Sequence, residues 1–273
     1  MTARTIAGVM LVFSPDEQAT ADLIAAACEE AIQLAREMWG LDPPENCRVH
    51  VMTSWLGFVF RSAPWAWRIL LAPTLPLWCW RTRRAWPYSA GWTQRYGRRV
   101  AIGVKPARLL AASQRSIGVR MFVEEPDMTV NVQHVTCHEL VHACAADLKP
   151  PMWLNEGIAT VTVDRFLGRA TIRPETLDLL QAHSPKAPPP TYRELSRLGL
   201  DALAYHASRA YWLVRYLEEV RPGFLKGLFG QRPDGGAIER EMALELGMDT
   251  VTFWTDIDGV VVRHFGGHAA ATP

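Results

Sequence analysis

The sequence predicts an α+β protein, and the distribution of apolar residues along the chain is the main reason. Segments with the alternating pattern of strands lie mainly in the first half, whereas stretches with helical periodicity fill most of the second half. A chain of 273 residues can bury one large core or two lobes around a cleft. We therefore expect a single domain, residues 1–273, with a mixed N-terminal lobe (1–125) and a mainly helical C-terminal lobe (126–273).

The N-terminal lobe is predicted to contain short strands and one long helix. Thr5–Phe13 has the composition of a first strand. Ser14–Glu17 has the pattern of a capping box with proline at the first helical position, so a helix should begin there and end near Trp39, before Gly40. Further strands are predicted at Cys47–Thr53, Trp92–Tyr96, Arg99–Val104 and Val119–Glu124.

The C-terminal lobe is predicted to be built from helices. The first should begin near Asp127 or Thr129, either of which could cap it, and end before the pair Pro150–Pro151. Its residues Cys137, Val141 and Cys144 form an apolar face that should pack into the core. Further helices are predicted over Trp153–Phe166, Pro174–Ala182 and Asp201–Val220, followed by short helices over Phe224–Phe265 and a frayed terminus, Gly266–Pro273.

The first of these helices carries the sequence H-E-L-V-H at His138–His142. Residues four apart on a helix lie on the same face, so His138 and His142 can direct two imidazoles at one metal ion. Glu139 is rotated by about 100° from His138, which places it beside the ion rather than on it. That is where a general base for a metal-bound water belongs.

A catalytic zinc ion usually has three protein ligands and one open position, so a third ligand is needed. Glu156 is the best candidate, because the prolines between it and His142 allow one helix to end and another to deliver the carboxylate. His134, one turn before His138, is the alternative. Three histidines at this spacing would span about 12 Å along the axis, too far for bonds of about 2.1 Å to one ion. We therefore expect His134 either to contact the ligand residues or to line the cleft.

The H-E-L-V-H of His138–His142, followed by W-L-N-E-G-I-A at Trp153–Ala159, resembles the gluzincin metallopeptidases and, within them, the peptidase MA-like superfamily. The resemblance implies a zincin-like fold around a zinc cleft and the hydrolysis of peptide bonds. It implies Zn²⁺ as cofactor, held by His138, His142 and Glu156, with Glu139 as the catalytic base. Gluzincins of the thermolysin type often have an acidic residue four positions after the third ligand. Thr160 stands there in this chain, and Asp164, one turn further on, is the candidate to orient a histidine.

A hydroxyl donor for the tetrahedral oxyanion is expected on the helix Asp201–Val220. In the peptidase MA-like proteins, a tyrosine three residues before a small residue opens a helix at this place, and Tyr205–Ser208 matches that pattern. The resemblance therefore implies a catalytic role for Tyr205, with His206 and Tyr211 as alternatives. Packing in the core is an equally good explanation for Tyr205 and a better one for Tyr211.

Trp55–Trp92 stands apart from the rest of the sequence in composition. It holds seven of the eleven tryptophans, and its prolines predict broken helices rather than one long helix. Between Asn46 and Val123 there is no Asp or Glu but there are thirteen Arg and Lys residues, whereas the rest of the chain has 16 basic and 28 acidic residues. Such an asymmetry indicates either that the segment binds an anionic partner or that its arginines pair with acidic residues elsewhere in the chain.

Two interpretations of Trp55–Trp92 remain open. It could lie on an anionic membrane, since indole rings and arginines favour the interface and each basic group gains about 1 kcal/mol there. The uncharged run Ile69–Trp80 is too short to span a bilayer. Alternatively, it could form a helical pair over the cleft, with its arginines paired to the acidic C-terminal lobe. Nucleic acid is a weaker candidate, because many apolar neighbours would stay exposed.

Cysteine usage and the N-terminus predict a cytoplasmic protein, with peripheral attachment to the inner membrane face as a further expectation. The five cysteines include no C-x-x-C pair, which favours a reducing compartment. The short apolar run Ile6–Phe13 lacks the features of a signal peptide. The predicted function is a zinc metallopeptidase that acts on a peptide or protein substrate. The alternative is a non-proteolytic, zinc-stabilised interaction module at a membrane surface, which would need neither Glu139 nor an open coordination site.

Overall fold

The computed structural model describes an α+β chain that clusters into two compact units. The described residues are 1–76, 79, 86–87, 89–113, 119–182, 188–195 and 197–269. The first unit comprises Met1–Arg36, Asp42–Val119 and Glu124–Asp147, and the second comprises Glu37–Leu41, Arg120–Val123 and Leu148–Pro273. The single domain predicted for residues 1–273 stays a prediction. Of the residues singled out in the tryptophan-rich stretch, Trp78, Trp80, Arg81, Arg83 and Arg84 lie outside the described part.

The first unit contains a five-stranded mixed sheet with the order β1-β2-β3-β5-β4. The inner strands β2, β3 and β5 run parallel, while β1 and β4 pair antiparallel at the two edges of the described sheet. The hairpin β4–β5 confirms the strands predicted at Trp92–Tyr96 and Arg99–Val104, and Gly97 in its turn has a φ of +62°. The strands are β1 (Thr2–Ile6), β2 (Val9–Phe13), β3 (Cys47–Val51), β4 (Gly91–Tyr96) and β5 (Arg99–Val104).

Three local predictions for the first 125 residues are wrong. Thr5–Phe13 is two strands rather than one, because Ala7 and Gly8 both adopt positive φ and form a tight turn that alanine does not signal. Ser14 makes no side-chain cap, and the residues after it form a short 3₁₀ turn instead of a capping box. Val119–Glu124 is not a strand: it begins with a single helical turn, and only Phe122 makes a bridge, to Ile172.

The helices of the first unit begin with α1 (Gln18–Trp39), which ends at Gly40 as predicted. They continue with α2 (Trp55–Ser62), α3 (Trp65–Leu71), α4 (Ala107–Ser113) and α5 (Met128–Ala145). The break between α2 and α3 at Pro64 confirms that this region forms short helices. In α5, Asp127 caps the N-terminus by accepting a hydrogen bond from the Thr129 backbone N–H at 2.7 Å.

The second unit is mainly helical in its described part, as predicted, although the helix Phe253–Ala269 is longer than the short helices predicted over Phe224–Phe265. They are α6 (Met152–Leu167), α7 (Leu177–Ala182), α8 (Tyr192–Leu195), α9 (Leu200–Val220), α10 (Phe224–Gly230), α11 (Gly235–Glu245) and α12 (Phe253–Ala269). Helix α12 runs to Ala269, and 270–273 lie outside the described part. The predicted fraying of Gly266–Pro273 stays a prediction. In the part of the chain that the structure describes, no helix is long and apolar enough to cross a membrane.

Close packing of α6 against α9 explains the glycine that follows Glu156. A Cβ built on Gly157 would lie 2.4 Å from Val214 Cγ2 and 2.5 Å from the carbonyl oxygen of Ala210. Both distances are far below ordinary contact, and one of the atoms belongs to the backbone of α9. A side chain at position 157 would therefore push the two helices apart, and glycine lets α6 approach closely.

Candidate metal centre

Helix α5 carries His138 and His142, both half-buried, one turn apart. The predicted apolar face is confirmed, since Cys137, Val141 and Cys144 are all buried. The two histidine rings meet edge to face, with centroids 4.5 Å apart, and their Nε2 atoms are 3.0 Å apart. Two nitrogens at about 2.1 Å from a tetrahedral ion lie about 3.4 Å apart. The pair therefore already has nearly the separation that one shared metal ion requires.

Glu156, the third predicted ligand, belongs to one group with the two histidines. Among the residues that the structure describes, His138, His142 and Glu156 form a group that could hold a metal ion: one ligand atom of each lies within 4.8 Å of the other two. Two imidazole nitrogens and one carboxylate oxygen are the donors of many catalytic zinc sites. His134 is half-buried and does not belong to this group.

Helix α6 and the segment around α8 fix the carboxylate of Glu156. The Tyr192 hydroxyl donates to Glu156 Oε1 at 2.7 Å and accepts from Asn155 Nδ2, also at 2.7 Å. Thr191 and Glu194 form a capping box at the start of α8, in which the Thr191 backbone N–H donates to Glu194 Oε2 at 2.8 Å. These hydrogen bonds also lower the pKa of Glu194. The cap thus helps to define the backbone that presents Tyr192.

The sheet strand β4 holds the predicted general base. Glu139 is buried, with only 8% of its surface exposed, and its Oε2 accepts a hydrogen bond from Thr93 Oγ1 at 2.6 Å. Gly91 of the same strand lies against this side chain: a Cβ built there would be 2.6 Å from Glu139 Cγ. Strand β4 therefore holds the carboxylate on one side by a hydrogen bond and on another by close backbone contact.

Asp164 does not orient either histidine, contrary to the expectation from the sequence. One carboxylate oxygen, Oδ1, accepts from the backbone N–H and the hydroxyl of Thr171 at 2.7 and 2.6 Å. The other, Oδ2, accepts from the Tyr211 hydroxyl at 2.7 Å. Burial, with Asp164 as a second cause, raises the pKa of Tyr211. Asp164 therefore ties the end of α6 to the next segment and to α9.

Tyr205 lies in a buried polar cluster of the second unit. Its side chain is 3% exposed, and its hydroxyl donates to Asp258 Oδ2 at 2.9 Å. Arg209 donates to Asp258 Oδ1 at 2.7 Å and to the carbonyl of Trp254 at 2.9 Å. Burial raises the pKa of Tyr205. The oxyanion role predicted for Tyr205, and the alternatives His206 and Tyr211, stay predictions.

Three residues that contact the predicted site residues had no recognised signal in the sequence. Gly91 and Thr93 meet Glu139 only because α5 packs on β4, and Tyr192 is separated from Glu156 by a proline-rich stretch. The T-x-x-E spacing of Thr191 and Glu194 could have predicted the start of α8. It could not have predicted which side chain the helix presents to Glu156.

Comparison with known proteins identifies no relative of this chain. No protein-family model matches the chain, and neither a curated protein nor a solved structure matches it.

Proposed function

We propose that this protein is a zinc metallopeptidase of the gluzincin type, with a zincin-like fold. The observation that carries the proposal is the group His138, His142 and Glu156 together with a buried carboxylate, Glu139, that follows the first histidine directly. A purely structural zinc site needs no additional acid beside its ligands. Here the additional acid, Glu139, accepts a hydrogen bond from Thr93 and lies close to the backbone of Gly91. A general base must be fixed in position in this way.

The donor set fits zinc better than a hard cation. Imidazole nitrogens suit zinc and other transition metals, whereas calcium and magnesium prefer oxygen ligands. Three protein ligands also leave a fourth position open for water or substrate. Bound zinc would act there as a Lewis acid and lower the pKa of a water molecule to about 7.

The residues of the chain would then divide the chemistry between them. His138, His142 and Glu156 bind the ion, and Tyr192 orients the Glu156 carboxylate through its hydrogen bond. Glu139 accepts a proton from the attacking water and passes it to the leaving amine. Thr93 keeps the Glu139 side chain oriented in both of its protonation states. Its hydroxyl can donate a hydrogen bond to the carboxylate and accept one from the protonated acid.

Strand β4 supports a peptide as the substrate. It lies at one edge of the described sheet and contacts Glu139 through Gly91 and Thr93. An edge strand offers backbone N–H and C=O groups with which an extended peptide can pair. A peptide bound in this way would lie beside the general base. We therefore include an extended peptide or protein segment in the proposal.

Digestion of a proteome-derived peptide library tests the proposal. The wild-type protein, loaded with one equivalent of zinc, should cut a subset of peptides. Glu139→Gln should keep the fold and the zinc but lose hydrolysis by about 10²-fold or more, as expected for a missing general base. His142→Ala should lose the zinc. If Glu139→Gln cuts as well as the wild type, the mechanism is wrong. If the wild type binds zinc stoichiometrically but cuts nothing, the non-proteolytic zinc-stabilised module is favoured.

A further inference from the structure

Helix α3 presents large apolar side chains to solvent. Trp65 is 75% exposed, Ile69 66% and Leu70 65%, and Trp67 is 38% exposed. None of the α3 residues is buried. Soluble proteins seldom expose several large apolar side chains next to one another without a partner for them. The exposed apolar side chains of α3 therefore indicate a binding surface.

The exposed side chains are distinct from the tryptophans that build the core of this region. Trp55 belongs to a buried cluster with Met52, Phe58 and Tyr96, and Trp86 and Trp92 pack against it. Trp67 reaches the same cluster, its ring lying 5.9 Å from that of Tyr96. Arg68 Nε donates to the Ala63 carbonyl at 2.9 Å. The inner contacts thus hold α3 in place, while Trp65, Ile69 and Leu70 face outward.

Among the described residues, several arginines without an acidic partner lie on this helix or near its start. Arg61, Arg68 and Arg99 make no ion pair in the part of the chain that the structure describes, and the latter two donate to backbone carbonyls. Arg48 likewise has no ion pair there. Burial lowers the pKa of Arg99, and the charges of Arg48 and Arg68 lower it further, so these cations lie near one another. By contrast, the described Arg95, Arg108 and Arg120 of the same acid-free span do pair with carboxylates.

We propose that the outward face of α3, together with Arg61, Arg68 and Arg99, is a binding surface for a membrane that contains anionic lipid. The tryptophan and aliphatic side chains would enter the interface, and the guanidinium groups would contact phosphate headgroups. Charge complementarity decides this partner, because acidic residues are missing from the whole span between Asn46 and Val123. The surface is independent of the metal centre, so the two proposals can fail separately.

Vesicle co-sedimentation of the full chain tests the surface. The protein should sediment with vesicles of phosphatidylcholine containing about one third phosphatidylglycerol, weakly with pure phosphatidylcholine, and less at high salt. The triple variant Arg61→Glu, Arg68→Glu, Arg99→Glu should bind anionic vesicles about 100-fold more weakly or worse, because each lost basic group contributes roughly fivefold. The matched control reverses three exposed arginines of the second unit, Arg197, Arg232 and Arg263, and changes the net charge equally.

A second variant keeps the test decisive if the charge reversals disturb the fold. Trp65→Ser with Leu70→Ser removes two exposed side chains and should also weaken vesicle binding, by about tenfold or more. Leu198→Ser with Val251→Ser, which removes exposed apolar side chains elsewhere, should bind like the wild type. Equal binding to neutral and anionic vesicles, or none to either, overturns the proposal. Tighter binding of the protein to duplex DNA than to anionic vesicles would also overturn the proposal.

Discussion

Gly91→Ala is the sharpest test of the link between strand β4 and the predicted base. The new Cβ would lie 2.6 Å from Glu139 Cγ, 2.7 Å from Oε1 and 2.8 Å from Cδ, whereas ordinary contacts start at 3.4 Å. Glu139 or the strand must therefore shift by about 1 Å to relieve the overlap. The hydrogen bond from Thr93 to Oε2, at 2.6 Å, would be distorted by such a shift.

The expected consequence is kinetic. A misplacement of about 1 Å in a catalytic group can cost about 10²-fold in rate, which corresponds to about 2.7 kcal/mol in the activation free energy. The measurement is kcat/KM on a peptide identified in the library digest, alongside zinc content and the denaturation midpoint. Because the metal ligands are untouched, Gly91→Ala should retain its zinc. A general loss of stability would show as a lowered midpoint and is thereby separated from misplacement of Glu139.

Two further variants make the comparison decisive. Gly227→Ala, where nothing lies within 4 Å of the new Cβ, should leave kcat/KM unchanged. Thr93→Val should lower kcat because the variant lacks the hydroxyl that donates to Glu139. Thr93→Ser keeps a hydroxyl and should therefore retain most of the wild-type kcat. A folded, zinc-loaded Gly91→Ala protein with the wild-type kcat/KM would refute the reasoning, since Glu139 would then tolerate displacement.

Three further predictions follow from the described contacts. Tyr192→Phe should weaken zinc affinity by about 10- to 100-fold, measured by chelator competition, because Glu156 loses the donor that orients it. Asp258→Ala should lower the free energy of unfolding by about 3–5 kcal/mol in a denaturant titration, because Arg209 would keep a buried, unpaired charge. Burial, aided by nearby arginines, lowers the pKa of His50 from 6.5 to about 4. The unfolded chain then binds more protons, so stability should be complete above pH 6.5 and fall by about 3 kcal/mol as the pH drops towards 4.

Each of these predictions has a control on the same chain. Tyr216→Phe should leave zinc affinity unchanged, and equal losses in both tyrosine variants would argue against orientation by Tyr192. Asp22→Ala breaks an exposed ion pair with Arg4 and should cost less than about 1 kcal/mol. His50→Leu should flatten the dependence of unfolding free energy on pH between 6.5 and 4. An unchanged acid dependence in that variant would assign the effect to other groups.

Local rules explain why much of this structure could be predicted from the sequence. Helix α5 follows a capping aspartate and ends before two prolines, and the hairpin β4–β5 turns at Gly97, so neighbours along the chain determine both. The separation of His138 and His142 is likewise a property of any helix. Where positive φ falls on alanine, as at Ala7, the same rules fail, and one predicted strand becomes two.

Contacts over long sequence distances explain what could not be predicted. Thr93 and Glu139 are 46 residues apart, and Tyr192 and Glu156 are 36 apart. Such pairs depend on how helices and strands pack, and a single sequence carries no pattern for them. Asp164 shows the converse case: its spacing after Glu156 favoured an orienting role, yet tertiary packing commits both oxygens to Thr171 and Tyr211.

The hydrogen bonds of Tyr205 and Tyr192 bear on whether either hydroxyl could stabilise the oxyanion of the proposed reaction. A phenol has one O–H to donate, and the structure commits that of Tyr205 to Asp258 and that of Tyr192 to Glu156. To serve an oxyanion, either hydroxyl must give up a bond to a carboxylate, which is worth about 1.5–3 kcal/mol. At Tyr205 the site is almost fully buried, so water could not replace the lost donor, whereas Tyr192 is half-exposed and water could. The cost is therefore higher at Tyr205, and its predicted role requires Asp258 to be satisfied by Arg209 alone during the reaction.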